Sequence, residues 1–157
     1  MNVFNAAEVI DIGIEKEVKR RDFYGLAADK FSDKAMKELF TRLKDWEDTH
    51  IKKFTEIRNG LEQDEAFESY PGEMQSYMKA LVDDRLYSET SKENFSKNVR
   101  SPLDAIRYGM GFEKDAILFF SELLPAVDPD NRGKVQSLID EEKLHLIFLS
   151  ELKQKYE

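Results

Sequence analysis

Two short stretches decide the fold: Glu47-Asp48-Thr49-His50 and Glu142-Lys143-Leu144-His145, which contain the only two histidines of the chain. In each stretch a glutamate stands three residues before a histidine, and residues at this spacing lie on the same face of a helix. Each stretch, if helical, therefore presents a carboxylate and an imidazole side by side. This repeated Glu-x-x-His pattern predicts two helices that contribute to one metal site.

Both motifs lie on apolar stripes with helical spacing. The apolar members of these stripes are Met36, Leu39, Leu43, Trp46, Phe54 and Ile57 around the first motif, and Val135, Leu138, Leu149 and Leu152 around the second. Two further stripes carry Glu17 and Glu113 among residues such as Ile10 and Ile106. Buried carboxylates that have no partner are costly or take up a proton, whereas two divalent cations would neutralise four of them.

The sequence therefore predicts a two-metal site with six protein ligands. These are Glu17, Glu47, His50, Glu113, Glu142 and His145. One glutamate from each of two helices, with Glu-x-x-His from each of the other two, is the di-iron or di-manganese carboxylate pattern. Mixed oxygen and imidazole ligation suits iron or manganese, with zinc as a further alternative.

Four long helical segments are predicted, at about 5–30, 34–58, 102–124 and 129 to near the end of the chain. Start signals are Asn5 with Glu8, Ser32-Asp33, Ser101-Pro102 and Asp128-Pro129, and Asn59-Gly60 is a predicted stop. Residues 61–100 form a long crossover with one or two short helices, including an amphipathic piece from Met74 to Val82. We expect residues 1–157 to form one all-α domain, a four-helix bundle of two helical hairpins.

The two hairpins resemble each other in their spacing. Glu17 and Glu47 are 30 positions apart, and Glu113 and Glu142 are 29 apart. An aromatic residue follows the first glutamate of each hairpin by seven positions, Tyr24 in one and Phe120 in the other. This similarity suggests duplication of one helical hairpin.

Composition narrows the class of protein further. A net charge of −8 argues against nucleic-acid binding, and no apolar run is long enough for a membrane span or reads as a signal peptide. The chain has no cysteine, which excludes disulfides, rubredoxin-type sites and iron–sulfur clusters and fits a cytoplasmic protein.

At the four regions around Glu17, Glu47-to-His50, Glu113 and Glu142-to-His145, the chain resembles the rubrerythrin branch of the ferritin-like di-iron proteins. The resemblance implies that Glu47 and Glu142 bridge two irons, while Glu17 and Glu113 are terminal ligands. It also implies reaction with peroxide or dioxygen, with electrons supplied by a separate donor protein, since a chain without cysteine has no rubredoxin site.

Several expectations remain open at this stage. Met110 stands where typical rubrerythrins have a further glutamate, so a ferroxidase or other iron-handling role and a non-enzymatic metal-binding or sensing role are alternatives to an oxidoreductase. Tyr24 is a candidate hydrogen-bond donor to the site, and Trp46 is more readily a core residue than an electron relay. A homodimer is the expected assembly.

Overall fold

The computed structural model describes residues 6–61, 76, 80 and 91–157, and all regular structure within them is helical. Five α-helices are present in this part of the chain. They are α1 (Ala6–Lys30), α2 (Lys34–Leu61), α3 (Lys92–Asn98), α4 (Pro102–Leu123) and α5 (Pro129–Gln154), with a short 3₁₀ turn at Leu124–Ala126. The predicted all-α class is confirmed, and α3 confirms that the crossover contains a short helix.

The four long helices form a bundle of two hairpins. Helix α1 packs most extensively on α2, and α4 packs most extensively on α5. Contacts of α1 with α4 and of α2 with α5 join the two hairpins. Because each hairpin connection is short, the paired helices run in opposite directions and present their apolar stripes to a common interior.

Three of the four predicted helix starts are confirmed by local hydrogen bonds. Ser101 and Asp104 form a reciprocal capping box at the start of α4, with proline in the first turn. Asp128 accepts hydrogen bonds from two backbone N–H groups at the start of α5, and Asp33 accepts one from Met36 in α2. These caps satisfy N–H groups that have no partner within their own helix.

The predicted stop at Asn59-Gly60 is wrong, because α2 continues through both residues to Leu61. No described glycine has a positive φ, so Gly60 does not adopt the left-handed conformation that terminates helices. A glycine inside a helix costs only about 1 kcal/mol relative to alanine, so Gly60 does not by itself end α2. Asn5 and the predicted amphipathic piece in the crossover lie outside the described residues, apart from residues 76 and 80.

Two hydrophobic clusters fill the bundle, one towards each end. The first includes Phe23, Phe40 and Phe112, and the second includes Phe54, Phe119, Phe120 and Leu138 among its members. The predicted metal ligands lie between these clusters along each helix. No helix in the described part of the chain has the length and apolar character needed to cross a membrane.

Candidate metal centre

The structure brings all six predicted ligands together in the bundle interior. Helix α1 supplies Glu17, α2 supplies Glu47 and His50, α4 supplies Glu113, and α5 supplies Glu142 and His145. The five side chains other than His145 are fully buried, and His145 is 2% exposed. The position of these residues on the apolar stripes of the sequence therefore correctly predicted that their side chains lie in the bundle interior.

The six side chains form two overlapping sets of four. The first set contains Glu17, Glu47, His50 and Glu142, and the second contains Glu47, Glu113, Glu142 and His145. Within each set, one potential ligand atom from every residue lies within 4.8 Å of the others. Glu47 and Glu142 belong to both sets, so the arrangement can hold two cations that share two carboxylates. We call the side with Glu17 and His50 the His50 half, and the side with Glu113 and His145 the His145 half.

Both histidines direct Nδ1 towards the carboxylates. His50 Nδ1 is 2.8 Å from Glu142 Oε1, and His145 Nδ1 is 3.1 Å from Glu142 Oε2. The two oxygens of Glu142 therefore face different halves. The two oxygens of Glu47 also face different halves: Oε2 is 3.6 Å from His50 Nδ1, and Oε1 is 3.6 Å from His145 Nδ1.

The outer edges of the two histidines are held differently. His50 Nε2 lies 2.7 Å from Glu141 Oε2, at the surface of the bundle. The His145 ring stacks on Trp46, with centroids 4.7 Å apart and an interplanar angle of 12°. A hydrogen bond to the outer nitrogen of an imidazole fixes its tautomer and orientation, while a stacked indole fixes the ring plane. Trp46 therefore borders the site as well as the core, on which it packs.

Tyr24 is placed where the sequence suggested a hydrogen-bond donor. Its hydroxyl donates to Glu113 Oε1 at 2.6 Å, and the side chain is fully buried. Burial and the charge of Glu113 raise the pKa of the Tyr24 phenol well above its usual value. The phenol therefore keeps its proton and orients Glu113.

Arg20 is a site residue that the sequence analysis missed. It lies on α1 one turn after Glu17, and its side chain is fully buried. Nη2 forms an ion pair with Glu17 and lies 3.6 Å from Glu47 Oε2 and 3.5 Å from Glu142 Oε1. The signal was available, since Arg20 stands three residues after a predicted ligand and hence on the same helix face.

Burial and mutual repulsion divide the four carboxylates into two classes. Burial raises the pKa of Glu17 well above its usual value despite the opposing charge of Arg20. Burial and the charge of Glu142 likewise raise the pKa of Glu113. The two unshared carboxylates are therefore the ones that take up a proton more readily when the site contains no metal.

The shared carboxylates behave in the opposite way. Burial and the charge of Glu142 would raise the pKa of Glu47, but Arg20, Glu17 and His145 lower it to about 2. Burial also opposes ionisation of Glu142, but contact with Glu113 and the charges of His50 and Arg20 lower its pKa well below the usual value. Burial would lower the pKa of His145, but the surrounding carboxylates raise it to about 11. The shared carboxylates are thus ionised and neutralised by protonated imidazole.

Four buried carboxylate oxygens accept no hydrogen bond from any described residue. They are Glu17 Oε2, both oxygens of Glu47 and Glu113 Oε2. Carboxylate oxygens without a hydrogen-bond partner are costly to bury in a protein core, and coordination of a cation is a common way to satisfy them. Their number and their convergence with two imidazole nitrogens fit a two-metal site. Met110, by contrast, is half-buried and packs against the first hydrophobic cluster.

The fold and this cluster of buried glutamates and histidines define the class of carboxylate four-helix bundles. The chain matches the Rubrerythrin family over residues 8–153 and belongs to that family. A crystal structure from Thermotoga maritima, described as a ferritin-like diiron-carboxylate protein, has a TM-score of 0.70 at 20% identity, covering 100% of this chain and 99% of that chain. That likeness shows a ferritin-like fold. The comparison with curated proteins gives no significant match.

Proposed function

We propose that this chain is a di-iron carboxylate oxidoreductase that reacts with peroxide or dioxygen and takes electrons from a separate donor protein. The observation that carries the proposal is the pair of overlapping four-residue sets that share Glu47 and Glu142. Membership of the Rubrerythrin family supports the choice of iron. Manganese and zinc fit the same oxygen and imidazole donors.

In this proposal each half holds one iron. Glu17 and His50 would hold one ion, Glu113 and His145 would hold the other, and Glu47 and Glu142 would be shared by the two. Bound iron supplies the ability to change oxidation state and to bind an oxygen-containing substrate. Tyr24 orients Glu113 by its hydrogen bond, and Glu141 and Trp46 fix the two imidazoles. The apolar clusters on either side exclude water from the site.

A ferroxidase role is the second candidate, and Met110 is the observation that favours it. A methionine at this position cannot supply the extra carboxylate that the resemblance to typical rubrerythrins leads us to expect. A site that lacks this carboxylate is a weaker candidate for peroxide reduction and a reasonable one for oxidation of Fe(II) by dioxygen. Comparison of the two oxidants therefore distinguishes the two functions.

The test is anaerobic reconstitution of the metal-free protein with Fe(II), followed by metal analysis and mixing with either oxidant. We expect up to two irons per chain, and a charge-transfer spectrum after oxidation. Peroxidase activity predicts faster oxidation by peroxide and repeated turnover with a reductant, whereas ferroxidase activity predicts faster oxidation by dioxygen. Light scattering measures the expected homodimer in the same sample.

Variants of the carboxylates test the sharing of ligands. Glu47→Ala should lose both irons, because both halves use Glu47. Glu113→Ala removes a ligand from one half only and should retain about one iron per chain, while Glu15→Ala, on the exposed face of the same helix as Glu17, should retain both. Failure of the wild type to bind any iron under these conditions would contradict the proposal.

A further inference from the structure

Arg20 places a permanent positive charge inside the candidate metal centre. Its side chain is fully buried, and a guanidinium stays protonated under all ordinary conditions. Nη2 contacts Glu17, Glu47 and Glu142, which are three of the four residues of the first ligand set. A cation of the protein itself therefore stands where that set would hold a metal ion.

The individual oxygens show that Arg20 lies in the His50 half. It contacts Glu142 Oε1, the oxygen that faces His50, whereas His145 lies against Oε2. It contacts Glu47 Oε2, which again faces His50, whereas His145 is nearest Oε1. Arg20 also pairs with Glu17, which belongs only to the first ligand set.

The His145 half contains no matching cation at the equivalent position of α4. Ala116 stands three residues after Glu113, as Arg20 stands three residues after Glu17, and Ala116 is almost fully buried. A methyl group neither neutralises Glu113 nor repels a metal ion. The two halves therefore offer similar ligands in different electrostatic surroundings.

Arg20 has two opposite effects on cation binding. It neutralises part of the carboxylate charge when metal is absent, which lowers the cost of burying four glutamates. It also repels an ion that enters the His50 half, since like charges a few ångströms apart interact strongly inside a protein. A metal ion that binds there must compete with Arg20 for the same carboxylates.

We propose that Arg20 makes the two metal positions unequal, so that the first ion binds in the His145 half and the second, in the His50 half, binds more weakly because it displaces the guanidinium. This inference rests on the proposed metal site but not on its reaction. It makes Arg20 a residue that determines metal affinity, and it predicts a form with one metal ion at limiting supply.

The first test is an anaerobic calorimetric titration of metal-free wild-type protein with Fe(II). We expect two steps whose affinities differ by at least about tenfold. His145→Ala should lose the strong step, whereas His50→Ala should keep it and lose the weak one. This pair of variants assigns the steps to the two halves without altering Arg20.

The second test removes the charge. Arg20→Met should strengthen the weak step by at least about tenfold, and Arg20→Lys, which keeps the charge, should leave the steps unequal. Arg21→Met is the matched control, since Arg21 is the next residue of α1 and pairs with Asp48 on the bundle surface. The control should titrate like the wild type.

Two equal steps in the wild type would overturn the inference while leaving the proposed function intact. An unchanged weak step in Arg20→Met would also overturn it. If Arg20→Met does not fold, loss of the strong step in His50→Ala rather than in His145→Ala would overturn the inference. Absence of any Fe(II) binding in the wild type would reject the metal site and this inference together.

Discussion

The two halves of the centre contain the same ligand types but are supported by different neighbours. In the His50 half, Arg20 pairs with Glu17, and Glu141 holds the outer nitrogen of His50. In the His145 half, Tyr24 donates a hydrogen bond to Glu113, and Trp46 stacks on His145. The unshared ligands of the His50 half thus have charged neighbours. Those of the His145 half have a neutral hydrogen-bond donor and an aromatic ring as neighbours.

The repeat relation makes this difference informative. Trp46 and Glu141 occupy matching positions, each one residue before its shared glutamate. Tyr24 matches Phe120, which stacks on Phe54 and has no hydroxyl to donate. Two similar hairpins can therefore place the same ligands while their neighbours give the two halves different charge. Charge on the neighbours, and not the ligand set, is what distinguishes the halves.

The largest effect that we expect concerns the protons bound by the metal-free protein in both halves, which bound metal should replace. Glu113 and Glu17 have raised pKa values, and the pKa of His145 is raised to about 11. At these groups the folded state binds more protons than the unfolded chain, so stability falls as pH rises. The contribution of His145 is complete below its ordinary pKa of 6.5 and is lost as the pH approaches about 11.

We therefore expect the Tm of the metal-free protein to fall by about 5–10 °C between about pH 6 and about pH 9. Bound metal replaces these protons, so the metal-loaded protein should show a smaller change over the same range. Calorimetry in chelator and in excess metal provides the two curves. If the Tm of the metal-free protein rises or stays level as the pH increases, the folded state does not bind extra protons at Glu17, Glu113 and His145.

Tyr24→Phe tests the hydrogen bond that the Tyr24 hydroxyl donates to Glu113 in the His145 half. The variant removes the hydroxyl that donates to Glu113 at 2.6 Å and leaves that carboxylate without this donor. We expect a loss of about 2 kcal/mol in the free energy of unfolding of the metal-free protein. The loss should be smaller with metal bound, because coordination satisfies the same carboxylate.

Chemical denaturation with and without metal measures the effect. Tyr108→Phe is the control, since Tyr108 is a partly buried tyrosine that packs against the first hydrophobic cluster and its ring lies near Phe23 and Phe112. Equal losses in both variants would show that Tyr24 has no special relation to the site.

The sequence predicted that the six candidate ligands are buried, because their position on one face of each helix depends only on helical periodicity. Burial of Glu17 and Glu113 follows from their place on apolar stripes, and the caps at Ser101 and Asp128 follow from local hydrogen bonding. These features require no knowledge of how the hairpins pack. The metal itself and the reaction remain proposals.

Arg20 was missed for a physical reason. A lone arginine on a helix is usually at the surface, because burial of its charge is costly without partners. Its partners Glu47 and Glu142 come from two other helices, so their convergence depends on the three-dimensional packing. Likewise, the oxygen-by-oxygen division of Glu142 between the histidines is a tertiary feature that spacing cannot specify.

The smallest difference that we expect between the halves is in the stability cost of adding a methyl group at two glycines in matching positions. Gly13 lies four residues before Glu17, and Gly109 lies four residues before Glu113. A Cβ at Gly13 would lie 2.8 Å from a ring carbon of Phe120, whereas a Cβ at Gly109 would lie 3.2 Å from a methyl carbon of Leu149. The Phe120 ring is rigid and stacked on Phe54, so it cannot move away easily. Gly13→Ala should therefore destabilise the protein by about 1–2 kcal/mol, even after the gain in helix propensity.

A Cβ at Gly109 would also lie 3.3 Å from a ring carbon of Tyr24. Gly109→Ala should still cost less than Gly13→Ala, because its contacts are longer, the Leu149 side chain can shift by a few tenths of an ångström and the helix gains about 1 kcal/mol from alanine. Denaturant unfolding of both variants in chelator gives the comparison without any contribution from metal. Equal destabilisation at the two positions would mean that the packing of the halves is as similar as their ligands. A larger loss at Gly13 would show that the difference between the halves extends from charge to packing.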